Sequence, residues 1–226
     1  MTIRAQFITI EGQDGAGKST NIAVIKEQLQ QLNIDFVETR EPGGTKFGES
    51  IRELMLGSNG HSFGDKAELL LMFAARAEHL ERVVLPALAT GKWVLCDRFT
   101  DATYAYQGGG RQLEVQTIAQ LEQLVQGDFR PNLTILLDLP VEVGQSRTQQ
   151  RAEVAVPADR FEQQKLDFKQ RVRDAYLGIA QSQPDRVKVV DASLPLENVE
   201  AAILKVLQNF VEPILLEASR AGRNND

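Results

Sequence analysis

Gly12-Gln-Asp-Gly-Ala-Gly-Lys-Ser19 is the stretch that decides how this chain folds. It fits the pattern GxxxxGK[ST]. An apolar run, Phe7-Ile8-Thr9-Ile10, leads into it, and a helix-like stretch, Asn21 to Leu32, leads out. Strand, glycine loop and helix in that order form the setting in which such a loop grips phosphate. Glycines let the backbone wrap an anion so that several N–H groups point at it, and the start of the helix adds partial positive charge. The pattern sends Lys18 to the terminal phosphates of a nucleotide and the Ser19 hydroxyl to Mg2+. A chance glycine-rich turn would match the eight residues but would not bring the flanking strand and helix.

Working outward, short apolar runs alternate with longer helical patterns. The strand candidates are Gln6–Glu11, Phe36–Thr39, Lys92–Cys96, Leu133–Leu139 and Val187–Val190. The helical candidates are Lys18–Leu32, Lys46–Leu56, Asp65–Leu88, Val115–Gln126, Val141–Gln150, Phe161–Gln181 and Leu196–Phe210. Strand–helix alternation implies right-handed crossovers and a parallel sheet covered on both faces. The fold class is therefore α/β: a three-layer fold of the P-loop NTPase type, with a five-stranded parallel sheet flanked by helices. A single domain over residues 1–218 is expected, with a mobile lid near 147–162, where Val154-Ala-Val-Pro-Ala158 breaks the helical pattern. The polar tail 219–226 is expected to fray.

Composition narrows the functional class. The chain has 226 residues, 42% of them apolar and 25% charged, an ordinary globular balance. A net charge of −6 argues against nucleic acid as a partner. No apolar run reaches membrane-spanning length, and Met-Thr-Ile-Arg-Ala-Gln does not read as a signal peptide. The one cysteine, Cys96, rules out an internal disulfide and is expected as a small buried side chain. With only two histidines, His61 and His79, a histidine-based metal site is improbable. A cytoplasmic location, with neither membrane nor nucleic acid as partner, is the expectation.

Ligands of open α/β sheets sit beyond the carboxyl ends of the strands. Besides the glycine loop, the chain places there Arg40-Glu41-Pro42-Gly43-Gly44-Thr45, then Asp97-Arg98-Phe99, Asp138, and Asp191-Ala192-Ser193. Asp97 can organise Mg2+ and Arg98 can clamp a phosphate, with a structural ion pair at the strand end as the lesser alternative given the glycine loop. Asp14 is an acid among phosphate-binding amides, which points to a second, hydroxyl-bearing substrate or to an exposed loop acid. Arg147, Arg151 and Arg160 form a loose cluster of cations, suited to a closing lid or to a solvated face.

Together these pieces resemble the bacterial thymidylate kinases over essentially the whole chain. The resemblance rests on Glu11–Thr20, Thr39-Arg-Glu-Pro-Gly-Gly-Thr45, Cys96-Asp-Arg-Phe99, Ala105-Tyr-Gln-Gly-Gly-Gly-Arg111 and Asp159-Arg-Phe-Glu162. It implies transfer of the ATP γ-phosphoryl group to dTMP, giving dTDP and ADP for DNA synthesis, with Mg2+ and as a homodimer. It implies that Gly12, Gln13, Asp14, Gly15, Ala16, Gly17, Lys18, Ser19 and Thr20 cradle ATP, with Arg147 near the adenine. Ser19 and Asp97 would serve Mg2+. Asp14 would bind the sugar 3′-hydroxyl, Arg52 and Arg98 the dTMP phosphate, and Glu41 would lie near sugar and metal. Arg76, Thr103 and Gln107 would read the base, and Tyr106 would exclude a ribose 2′-hydroxyl. The residue stacked on thymine is either Met72 or Phe73. Gly15 stands where some relatives carry a catalytic arginine, which shifts that task to the lid cations Arg151 and Arg160. The nearest alternative is a kinase acting on a neutral hydroxyl, such as a deoxynucleoside kinase. A guanine-nucleotide switch is disfavoured, because no Asn-Lys-x-Asp motif occurs.

Overall fold

The computed structural model describes residues 4–56, 64–154 and 159–223. Five strands form one parallel sheet: β1 (Phe7–Glu11), β2 (Phe36–Arg40), β3 (Trp93–Asp97), β4 (Leu133–Asp138) and β5 (Val187–Asp191). Their spatial order is β2-β3-β1-β4-β5, which puts β1 at the centre with β3 and β4 as neighbours. Ile8 stands in register with Leu95 on one side and Leu133 on the other. Every residue of β1 is buried, as a central strand covered on both faces requires.

Successive strand residues point to opposite faces, and the core divides accordingly. Ile8, Ile10, Leu95, Ile135 and Leu137 face one side. There they meet Ile22, Ile25 and Leu29 of α1 (Lys18–Gln31) and Val199, Ile203, Leu207 and Val211 of α9 (Leu196–Arg223). Those helical positions repeat at three and four residues, which puts them on one stripe of each helix. The opposite face carries Phe7, Val94, Cys96 and Phe99 in one cluster and Leu136 in another, with Phe168, Val172 and Tyr176 of α8 (Leu166–Ser182). Truncating any one of the fully buried Leu or Ile side chains to Ala would cost about 2–5 kcal/mol.

The remaining helices are α2 (Lys46–Leu56), α3 (Asp65–His79), α4 (Leu85–Ala89), α5 (Thr100–Thr103), α6 (Val115–Val125) and α7 (Val141–Val154). The stretch expected as one helix, Asp65–Leu88, is interrupted by a π-helical turn at Leu80–Val84. Pro86 has no N–H to bond back to the previous turn and its ring crowds that turn, so the helix widens ahead of it. The stretch Thr100–Gly110 was not expected as helical. It forms α5 and then a π-helical segment, Tyr104–Gly110. Its three glycines hid the pattern, and packing explains them. A Cβ on Gly109 would lie 2.7 Å from the Arg171 carbonyl oxygen, and one on Gly110 would lie 2.5 Å from the Phe168 ring. The glycines let α8 press directly against this segment.

Two boundaries move. The helix expected from Phe161 begins at Leu166, because Asp159 Oδ1 accepts the Phe161 and Glu162 N–H groups and holds a turn there. The last helix, expected to stop at Phe210, runs on through Pro213 to Arg223, so residues 219–223 of the expected tail are helical. Residues 155–158, in the middle of the expected lid, and 224–226, the end of the tail, lie outside the described residues.

Candidate active site

The glycine loop leaves β1 and enters α1 with Gly12, Gly15 and Gly17 at positive φ. At Gly15 (φ +82°) a Cβ would lie 2.5 Å from the Gly144 carbonyl oxygen, so neither backbone nor space admits a side chain. No side chain caps α1, which leaves its first-turn amides available to an anion. Lys18 Nζ donates to the loop's own carbonyls, Gly12 O at 3.1 Å and Gln13 O at 3.3 Å. Gln13 Nε2 bonds Leu139 O and ties the loop to the end of β4.

Arg98 follows β3 with φ +68°, a conformation uncommon outside glycine. Its N–H donates to Ile10 O at 3.0 Å, and the next N–H, of Phe99, donates to Glu11 Oε1 at 2.6 Å. The turn aims the guanidinium across the glycine loop. Nη2 donates to Asp14 Oδ1 at 2.8 Å and to Tyr106 Oη at 3.1 Å, and Nη1 donates to Gly12 O at 2.8 Å and Tyr176 Oη at 3.2 Å. Burial opposes ionisation of Asp14, but Arg98, Lys18 and the Tyr106 hydroxyl outweigh it and hold the carboxyl below its usual range.

A pocket opens beside this pair, walled by Glu41, Arg52, Met72, Arg98, Tyr106 and Gln107. Arg52 comes from α2 and donates to Pro42 O at 3.0 Å. Burial pushes the Arg52 guanidinium down, and Arg40 and Arg98 add to that. Lys18 is likewise depressed, by burial and then by Arg98. Against its burial, Arg98 itself is held up by Tyr106, Tyr176, Asp14 and Asp97 and depresses both neighbours, and an anion placed among these cations relieves that repulsion.

Behind Glu41 and Gln107 in the pocket wall lies a buried polar layer. Arg76 is fully buried, its Nε donating to Glu41 Oε2 at 2.8 Å and its Nη2 to Thr103 Oγ1 at 2.9 Å. His79 holds Glu41 from the other side, Nδ1 to Oε1 at 2.9 Å. Arg76 Nη1 and Gln107 Oε1 are buried without a hydrogen-bond partner. Such orphans are rare in proteins and fit a ligand with one acceptor and one donor.

Of the two candidates for stacking on a base, Met72 lines the pocket, with Phe161 beside it. Phe73 packs against Leu69 and Ile118 and beneath the Arg76 guanidinium. Thr103 reaches Arg76, and neither side chain lines the pocket. Ser19 and Asp97 line a second cavity, on the Thr39 and Gly44 side, and Asp97 Oδ1 is buried without a partner. A hydroxyl and an unsatisfied carboxylate facing one cavity suit a hard cation such as Mg2+.

The expected lid cations divide. Arg147 donates to Ala192 O at 3.1 Å and Gly15 O at 3.4 Å, joining the glycine loop to the end of β5. Arg151 pairs with Glu162 and Arg160 with Glu68, so neither points at the glycine loop. Asp138 is occupied by a bidentate pair with Arg173 at 2.7 and 2.8 Å, and Asp191 caps Ser193. Neither of these strand-end acids joins the site.

Sequence reading missed Glu11, Tyr176, Glu68 and His79 as parts of this architecture. Glu11 is fully buried at the end of β1, accepting Tyr176 Oη–H at 2.7 Å as well as the Phe99 amide. Burial, with Asp101 nearby, pushes its carboxyl up to about 8. An acid closing a fully buried strand with no other charge, Phe7-Ile-Thr-Ile-Glu11, was the available signal.

The profile of the family described as "Thymidylate kinase" matches residues 10–203. The chain is 53% identical over 214 residues to a protein named thymidylate kinase from Ectopseudomonas mendocina (strain ymp), covering 95% of this chain and 98% of that one. It is 50% identical over 208 residues to a thymidylate kinase from Alkalilimnicola ehrlichii, covering 92% and 94%. Among solved structures, the crystal structure of thymidylate kinase from Ehrlichia chaffeensis aligns with a TM-score of 0.72 and 35% identity, covering 90% of this chain and 98% of that one.

Proposed function

This chain belongs to the thymidylate kinase family, and we propose that its glycine loop and the adjoining pocket hold the donor and the acceptor of that family's reaction. It is an enzyme, a dTMP kinase that transfers the γ-phosphoryl group of ATP to dTMP and gives dTDP and ADP. The observation that carries the residue assignments is the convergence of Lys18, Arg52 and Arg98 between the glycine loop and the pocket, with Lys18 and Arg52 each depressed by burial and by Arg98.

The ATP phosphates lie on the amides of Gly12 to Thr20, with Lys18 turning from the loop carbonyls to the terminal phosphates. Arg147 borders the adenine. The dTMP phosphate sits between Arg98 and Arg52, and Asp14 takes the sugar 3′-hydroxyl. Arg76 Nη1 donates to a thymine carbonyl and Gln107 Oε1 accepts the ring N–H, which satisfies both orphaned atoms. Met72 packs on the base. Tyr106 bonds Arg98 and Asp14 through its hydroxyl, and its ring closes the space that a ribose 2′-hydroxyl would need.

The nucleophile is a dTMP phosphate oxygen that is already anionic, so no strong general base is required. Catalysis reduces to in-line placement and charge neutralisation by Lys18 and Arg98. Ser19 and Asp97 would hold Mg2+, which would supply further neutralisation of the ATP phosphates. Arg151 and Arg160 exchange their carboxylate partners for phosphate when the lid, 147–162, closes. The single domain acts in the cytoplasm, and as a homodimer, for which Leu70 and Leu124 standing exposed on the neighbouring helices α3 and α6 offer an apolar surface.

The test is product analysis with ATP and Mg2+ against dTMP, thymidine, dCMP and dGMP. ADP release matched one-for-one by dTDP, with thymidine inert, is the expected result. Phosphorylation of thymidine in place of dTMP would overturn the assignment of the acceptor.

A further inference from the structure

Behind the pocket wall lies a buried carboxylate that neither substrate touches. Glu68 projects from α3, is 1% exposed, and sits behind Gln107. Its Oε1 accepts Gln107 Nε2–H at 2.8 Å and Arg111 Nε–H at 3.3 Å, and its Oε2 accepts Arg111 Nη2–H at 3.1 Å and pairs with Arg160.

We propose that Glu68 is a positioning residue for base selection. It fixes the Gln107 side-chain amide with the oxygen toward the nucleoside, so the pocket accepts a pyrimidine bearing hydrogen on N3 and rejects one whose N3 is a bare acceptor. This rests on the dTMP reading above.

The logic is one of donors and acceptors. An amide side chain can present either its NH2 or its oxygen to a neighbour, and nothing in its shape decides which. Flanked by two guanidinium groups, the Glu68 carboxylate is acceptor-only, so Gln107 must turn Nε2 toward it. That leaves Oε1 at the other end of the amide, buried and unpartnered in a side chain that lines the pocket. A ring N–H satisfies it. Thymine and uracil carry that hydrogen, whereas neutral cytosine presents a lone pair that Oε1 repels. A site built around a buried hydrogen-bonding group discriminates sharply against analogues that leave the group unpaired.

The experiment is kcat/KM for dTMP and for dCMP with the full chain, wild type and Glu68→Gln. The replacement amide can donate or accept, so the Gln107 amide is satisfied in either orientation. The dTMP/dCMP ratio should fall about tenfold or more, mainly through the KM for dTMP. In a Gln107→Leu background the same substitution should leave the ratio unmoved. Should Glu68→Gln not fold, Glu68→Asp keeps the charge but withdraws the carboxylate from Gln107, and the same fall is expected. A proportional loss on both substrates with an unchanged ratio, or a further fall in the Gln107→Leu background, would overturn the role of Glu68. A wild-type chain inert toward dTMP would instead overturn the function itself.

Discussion

Arg98 Nη2 lies 2.8 Å from Asp14 Oδ1, so the cation that follows β3 and the acid within the glycine loop share one ion pair. Both residues are intermediate in exposure, at 17% and 23% of their side-chain surface, and Tyr106 bonds to each. The pair joins the two halves of the site: one end belongs to the loop proposed for the triphosphate, the other to the pocket proposed for the monophosphate.

Arg98→Ala should reduce kcat/KM for dTMP by about a hundredfold or more, because it removes a charge-assisted contact and leaves Asp14 unpaired. Circular dichroism should show the fold retained. Near wild-type turnover would remove Arg98 from the phosphate grip.

Lys18→Ala should lower kcat by about a hundredfold or more, as expected when a donor aimed at transition-state charge is lost. The core does not depend on this side chain, which bonds only loop carbonyls. Retained turnover in a coupled ADP-release assay would contradict its role at the terminal phosphates.

Gly15→Ala should destabilise the chain and weaken ATP binding together. The residue sits at φ +82°, and its new Cβ would meet the Gly144 carbonyl oxygen at 2.5 Å. The left-handed conformation alone costs an L-residue about 1–2 kcal/mol. Thermal unfolding with and without ATP reads both effects, and an unshifted Tm would show that the loop gives way without cost.

Glu11 predicts a pH signature. Its carboxyl moves from the ordinary 4.5 to about 8 on folding, chiefly through burial. Between those values the folded chain binds a proton that the unfolded chain releases, so this group's contribution to stability is full below about 4.5 and is lost as pH rises through about 8. Glu11→Gln cannot ionise. The difference in Tm, variant minus wild type, should therefore climb between pH 5 and pH 9. A difference independent of pH would show that Glu11 does not titrate in that window.

The fold was legible because its signals are local. All five strands were expected within a residue or two at each end, since β1, β3 and β4 are short, largely apolar runs and β2 and β5 are short β-branched or aromatic stretches, all bounded by charge or turn residues. Thr100–Gly110 was not legible: the glycines that disguise it answer to Phe168 and Arg171, some sixty residues away, and no local pattern reports that. The site divides in the same way. Lys18, Ser19, Asp97 and Arg98 announce themselves by motif and strand end. Glu68 and Tyr176 lie within ordinary amphipathic helices, and only the folded arrangement brings them to Gln107 and Arg98. Met72 and Phe73 are adjacent, and the rotation of α3 about its axis, set by packing against α6, decides which one meets the pocket.

The most direct measurement is a crystal structure with a non-hydrolysable ATP analogue and dTMP bound together. The triphosphate should lie on the Gly12–Ser19 amides with Lys18 Nζ at its terminal phosphates, and the dTMP phosphate should lie between Arg98 and Arg52, in line with the γ-phosphorus. A monophosphate lodged away from those arginines, or a triphosphate bound anywhere but the glycine loop, would contradict it.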